Sequence, residues 1–386
     1  MEQRINQNVK NIEISGIRQF FNMVQGKKDM ISLTIGQPDF QTPEHIKEAA
    51  KQSLDQNLTT YTPNAGVLEL REAISNYVKQ NYQLNYNPQD EIIVTVGASQ
   101  AIDITLRTIL SPGDEVLLPG PVYPAYEPLI KLAGGKPVYV DTRKHNFKFT
   151  ADLIEKHITE NTKCVILPYP SNPTGVSMDE NELKDIATLL KDYSIFILAD
   201  EIYSELTYEK PHVSIGAFEE VRNQTFIVQG VSKSHSMTGF RIGFLMGPKN
   251  LQKHVLKVHQ YNVSCPTSTS QYAALEALTN GINDPKEMRE SYLKRRNYVV
   301  KRLTEMGIDV VIPDGAFYVF PKLAPSDQTS FDFGLTLVKE AKLALVPGDA
   351  FSSYGQGYMR ISYAYHEEVL KEGLDRLEEF IKTNKG

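Results

Sequence analysis

At 386 residues, with 41% hydrophobic and 23% charged side chains, the chain is a globular protein too long for one ordinary compact core, so two lobes are expected. A formal charge of -6 and the lack of a Lys/Arg-rich run argue against partners such as nucleic acid or an anionic membrane. No apolar run is long enough to span a bilayer, and residues 1–8 lack the apolar core of a signal peptide, which points to a cytoplasmic protein. The two cysteines, Cys164 and Cys265, have neither the number nor the spacing of a disulfide framework or metal site and read as buried, inert thiols.

In chain order, residues 31–39 read as a strand running into a glycine turn at Gly36. A helix is expected over 42–56, with Thr42 as N-cap, Pro43 at the first position and Glu44 in the first turn, and a second over 67–80. Strand and helix signals then alternate: strand 92–96, helix 99–110, strand 116–118, strand 163–167, a helix opened by a Ser177/Glu180 capping box, strand 195–198 and strand 225–230. Continuous apolar strands between amphipathic helices predict an α/β domain, a mostly parallel sheet with helices on both faces. Beyond 281 a charged helix over 284–306, short strands around Val310, Tyr318, Leu345 and Ile361, and a last helix over 367–383 predict a smaller α+β domain. The expected division is a large domain of 45–280 and a small one of 1–44 with 281–386.

The residues with chemical promise sit where these strands end. Lys233 follows the strand 225–230, and Arg241 lies eight positions on among small residues. A lysine beyond the carboxyl end of a strand, desolvated beside another cation, loses basicity and becomes a usable nucleophile; a surface lysine is the ordinary alternative. Ala98 and Ser99 open a helix whose N-terminal N–H groups suit a phosphate, although a serine N-cap explains the pattern as well. Tyr123 follows a strand end where an aromatic covers a flat ring or simply packs in the core. Asn172, between Pro170 and Pro173, offers an amide donor or forms an Asx turn. Asp200 ends the most apolar strand, where an unpaired carboxylate is costly to bury, so either a cation meets it or it caps a turn.

These stretches resemble the class I (fold type I) pyridoxal-phosphate-dependent aminotransferases, in one order along the chain: Gly36, Tyr61, Ser99, Tyr123, Asn172, Asp200, Tyr203, Lys233, Arg241 and Arg360. The resemblance implies pyridoxal 5'-phosphate held by Lys233 as a Schiff base, with Arg241, Ala98 and Ser99 on its phosphate, Tyr123 stacked on its ring, and Asn172 and Tyr203 near its ring hydroxyl. Asp200 would face the ring nitrogen, Lys233 would act as the base in ping-pong transamination with 2-oxoglutarate, and Asn172, Gly36 and Arg360 would hold the substrate, Arg360 by its α-carboxylate. Tyr61 would reach the phosphate of a neighbouring subunit, which implies a homodimer with shared sites. Where several relatives carry a serine, this chain has Gly230, so the corresponding phosphate contact is assigned to Ser232. No motif matches the second arginine with which aspartate-type enzymes hold a side-chain carboxylate.

Residues 12–18, 204–208, 232–239 and 259–265 resemble the aminotransferase A group of Gram-positive bacteria, which implies N-acetyl-L,L-diaminopimelate as substrate in lysine biosynthesis, with aromatic amino acids as the competitor. The segment around Ile17 is expected to form part of a lid. A carbon–sulfur β-lyase of the same fold is the alternative chemistry. A DNA-binding regulator built on the fold is disfavoured because residue 1 already lies within the aminotransferase pattern.

Overall fold

The computed structural model describes residues 1–14, 16–24 and 29–384. Its strands in chain order are β1 (Ile31–Ser32), β2 (Ile92–Thr95), β3 (Glu115–Gly120), β4 (Lys136–Asp141), β5 (Thr162–Leu167), β6 (Phe196–Asp200), β7 (Thr225–Gly230), β8 (Gly243–Met246), β9 (Tyr318–Val319), β10 (Leu343–Ala344), β11 (Val346–Pro347) and β12 (Met359–Ser362). Strands β2 to β8 form one seven-stranded sheet in the order β2-β8-β7-β6-β5-β3-β4. Only β8 runs against its neighbours β2 and β7; the other pairings are parallel.

Side chains of this sheet alternate between two cores, as the period of two requires. Val165, Ile197, Ala199 and Ile227 enter the core on one face, and Cys164, Ile166, Leu198, Phe226 and Val228 the core on the other. Both faces are therefore covered, which is why these segments read as unbroken apolar runs. Because β8 alone is reversed, the carboxyl ends of β2, β3, β5, β6 and β7 and the amino end of β8 all open onto one edge, where ligands of such sheets bind.

A third core joins helices Pro285–Glu305, Ser330–Glu340 and Glu367–Asn384 to the small sheet β11-β12-β9. The N-terminal segment joins this lobe through β1, which pairs parallel with β10.

Several local expectations change. Helix Glu44–Asp55 is capped by Pro43 without a side-chain bond, because Thr42 Oγ1 instead donates to the Ser236 carbonyl at 2.7 Å. The capping box lies two residues later than read, with Asp179 and Glu182 at the start of helix Glu180–Leu190; the backbone N–H of Ser177 is held by Asp314 of another segment. Val310 lies in irregular chain, and of residues 31–39 only the first two form a strand. Cys164 is buried as expected, but Cys265 is only half-buried.

Candidate active site

At the sheet edge described above lies a cleft of about 360 Å³. Gly36, Ala98, Ser99, Tyr123, Asn172, Asp200, Tyr203, Ser232, Lys233, Arg241 and Arg360 line it, as do Ile17 of helix Gly16–Val24 and Tyr126 and Tyr318. Residues read from segments up to 324 positions apart are thus brought together. Tyr61 is the exception: it is 89% exposed and lines no part of the cleft.

Strand β7 hands over directly to the single turn Val231–Ser234, which carries Lys233 into the cleft. Its Nζ donates to the Gly36 carbonyl at 2.6 Å. Burial, reinforced by the positive charges of Arg360 and Arg241, pushes the amine down to about 8, against the opposing pull of Asp200. A substantial share of the side chain is therefore neutral in mildly alkaline solution, the state a nucleophile or base needs.

Asp200 ends β6 with its carboxylate buried. Tyr126 Oη donates to Oδ2 at 2.6 Å and the backbone N–H of Ile202 reaches Oδ1 at 3.3 Å. Burial nevertheless pushes the carboxyl up to about 6, because these two donors and the distant Lys233 do not offset the loss of water. A cation placed against it would restore the ionised form.

The phosphate end of the cleft is set by two glycines. Helix Gly97–Ile109 begins at Gly97, whose φ of +74° suits glycine, and a Cβ there would stand 2.5 Å from Arg241 Nη2. A Cβ on Gly243 would stand 2.5 Å from the Ala98 nitrogen, so the helix start is seated directly on β8. Free N–H groups at the helix N-terminus and the Arg241 guanidinium, whose Nη1 donates to the Thr238 carbonyl at 2.9 Å, form one anion-binding corner. Gly230 has its own reason: a Cβ would lie 2.9 Å from Gly243 Cα and from the Ile242 carbonyl, so a serine there would force β7 and β8 apart.

Opposite this corner stands Arg360 on β12. Its Nη1 donates to Asn172 Oδ1 at 2.9 Å and its Nη2 to the Thr34 carbonyl at 2.6 Å, while the buried Nε has no partner. The guanidinium carbon lies 4.4 Å from the Tyr318 ring centroid and 5.2 Å from that of Phe351. Among the described residues Lys233, Arg241 and Arg360 form no ion pair, so three basic groups face one carboxylate. That imbalance suits a ligand with more than one negative charge.

Tyr126 and Tyr318 were not singled out from the sequence. Tyr126 lies three positions beyond Tyr123, and the two rings meet edge to face at 5.6 Å. Its partner Asp200 is 74 positions away, and nothing in the local pattern announces the bond.

A buried carboxylate with hydrogen-bond donors but no ion-pair partner among the described residues, a lysine of lowered basicity and an anion corner at one helix N-terminus fit pyridoxal 5'-phosphate, which would bring a ring nitrogen, an aldehyde and a phosphate to those three places. Comparison with known proteins points the same way. The family model described as aminotransferase class I and II matches residues 28–377. Over 381 residues, 99% of this chain and 96% of the relative, the sequence is 60% identical to a Bacillus subtilis protein named "Probable N-acetyl-LL-diaminopimelate aminotransferase". It is 43% identical to an aspartate aminotransferase of Pyrococcus abyssi, over 96% of each chain. The crystal structure of an aromatic aminotransferase from Pyrococcus horikoshii superposes with a TM-score of 0.90 at 41% identity, covering 96% of this chain and 99% of that one.

Proposed function

The chain belongs to the class I and II aminotransferases, and from that premise we propose that it transfers an amino group between N-acetyl-L,L-diaminopimelate and 2-oxoglutarate. Pyridoxal 5'-phosphate is the coenzyme of this family, and when bound it supplies an aldehyde that receives the amino group and a ring that takes up the electron pair freed at the substrate Cα.

Each role assigned to this chain's residues is part of the same reading. Lys233 Nζ, its basicity lowered by burial, would take the proton from the substrate Cα and return it to the carbon that had carried the coenzyme's aldehyde oxygen. Asp200, oriented by Tyr126, places a negative charge where the ring nitrogen is protonated. Ala98, Ser99, Ser232 and Arg241 would hold the phosphate, Tyr123 would cover the ring face, and Tyr203 and the Asn172 amide nitrogen would donate to the ring oxygen; all of them line the cleft. The Asn172 carbonyl oxygen is already committed to Arg360, which leaves its NH₂ for that task and fixes the arginine for the substrate α-carboxylate. Gly36 presents its carbonyl at the substrate's place, where it now accepts from Lys233. We divide the chain into a large unit of 45–280 and a small unit of 1–44 with 281–386, the cleft between them, and we read it as a cytoplasmic homodimer in which Tyr61 completes the partner's phosphate site. Among the described residues no helix is long and apolar enough to cross a membrane.

The choice of donor is supported by the 60% identity to the protein whose name carries that substrate. A donor screen against 2-oxoglutarate with N-acetyl-L,L-diaminopimelate, phenylalanine, tyrosine and aspartate tests the proposal. The first should give the highest kcat/KM; a higher value for any other donor overturns the substrate, and pyruvate release from cystathionine at a comparable rate would move the protein to the β-lyases.

A further inference from the structure

Tyr318 is buried, lines the cleft and has two contacts that lead to different parts of the site. It lies on β9, paired with Ser362 of β12, two positions along from Arg360. Its ring stands 4.4 Å from the Arg360 guanidinium carbon. Its hydroxyl meets the Tyr203 hydroxyl at 3.0 Å, and the two rings cross nearly at right angles. Gly36 leaves room for this phenol, since a Cβ there would stand 3.2 Å from the Tyr318 oxygen.

Two neutral phenols that share one hydrogen bond have two protons between them. One lies in the bond; the other must point elsewhere. Burial raises both hydroxyls above their ordinary range, so neither gives up its proton near neutrality. If Tyr318 is the donor, the Tyr203 proton is free to point into the cleft. If Tyr203 is the donor, its proton is spent on Tyr318 and the cleft receives only a lone pair.

We propose that Tyr318 is a positioning residue that serves both ends of the site: its ring supports the plane of the Arg360 fork, and its hydroxyl donates to Tyr203 and so turns the Tyr203 proton toward the coenzyme. The proposal rests on the roles given above to Tyr203 and Arg360. It assigns the two functions to separate atoms, which separate substitutions remove.

Tyr318→Phe keeps the ring and deletes the donor. Tyr318→Leu deletes both. In the holoenzyme, a weaker donor at the coenzyme's ring oxygen leaves more negative charge there and raises the proton affinity of the nitrogen shared with Lys233. The pH titration of the visible absorption band should therefore shift upward in Tyr318→Phe, by about half a unit or more. Propionate, a carboxylate with no amine to react, reports on Arg360 through the change it makes in the same spectrum. Its dissociation constant should stay within about twofold in Tyr318→Phe and rise about fivefold or more in Tyr318→Leu. An unchanged midpoint in Tyr318→Phe overturns the hydroxyl half, and unchanged propionate binding in Tyr318→Leu overturns the ring half. Tyr203→Phe and Arg360→Lys, measured alongside, separate this failure from that of the underlying reading. If Tyr203→Phe leaves the midpoint in place and Arg360→Lys leaves propionate binding intact, the roles of Tyr203 and Arg360 themselves are wrong.

Discussion

Lys233 is surrounded by groups that favour its neutral amine. Burial is the largest influence, Arg360 and Arg241 add like-charge repulsion, and Asp200 alone opposes them. An exposed lysine holds its proton until about pH 10.4, so it captures an aldehyde slowly at neutral pH and ever faster up to that point. For Lys233 the folded value is depressed to about 8, so the protonated, unreactive form dominates below that pH and the amine is available above it. The rate at which the coenzyme-free protein captures pyridoxal 5'-phosphate, trapped with borohydride, should rise with pH through a midpoint near 8 and then level off. A rate still climbing beyond pH 10 would mean that the lysine is not desolvated. At this scale the sequence was informative for residues that announce themselves by type and setting, such as a lysine after an apolar strand or an aspartate at the end of one. Tyr126 and Tyr318 were not legible, because their work consists of contacts to Asp200 and Tyr203, which chain folding alone brings near.

The start of helix Gly97–Ile109 shows how an element is fixed by what is missing from its neighbours. Its first turn rests on Gly243 at backbone distance, with the Arg241 guanidinium against Gly97. Gly243→Ala would drive a methyl group into the Ala98 nitrogen and the Gly97 carbonyl carbon, atoms that cannot rotate away, so helix and β8 must separate. Such overpacking costs about 1–3 kcal/mol and here also displaces the N–H groups of the anion corner. Thermal unfolding of the coenzyme-free protein should show that loss, and coenzyme affinity should fall with it. Gly239→Ala, where nothing lies within 4 Å, is the control and should change stability by less than about 0.5 kcal/mol. Equal effects from the two substitutions would show that the close seat is not what matters. Strands with strong apolar signals, β5, β6 and β7, were legible because both their faces are covered. β4 carries only one buried residue in six, and β8 follows within a few residues of the lysine loop, so neither gave a separate strand signal. The misplaced capping box has a different origin: Ser177 and Glu180 match the pattern, but an outside carboxylate, that of Asp314, claims the Ser177 N–H.

The whole molecule leaves one expected contributor outside the cleft. Tyr61 and Tyr261 are both 89% exposed, an unusual state for large aromatics. Both segments are held: Asn64, in the loop after Tyr61, donates from Nδ2 to the carbonyl of Ser264 at 2.7 Å, just past the helix Lys249–Val263 that carries Tyr261, and Gln100 of helix Gly97–Ile109 donates to Asn262 of that helix at 2.9 Å. Exposed aromatics on held segments are what a second copy of the chain would cover, and in the proposed twofold dimer Tyr61 of each subunit would reach toward the other's phosphate corner. Mixed subunits put this to a test that a merely structural dimer cannot pass. On the proposed reading, Lys233→Ala would remove the base from a subunit's own cleft, and Tyr61→Ala would impair the cleft of its partner. Each homodimer is then inactive or strongly impaired at limiting coenzyme. In a mixed dimer the two defects fall on the same cleft and the other is native. Random reassociation of equal amounts makes half the dimers mixed, each with one native cleft of two, so about a quarter of the native activity should return. If each cleft were complete within one chain, every cleft in the mixture would carry one defect and no activity would return beyond that of the separate variants.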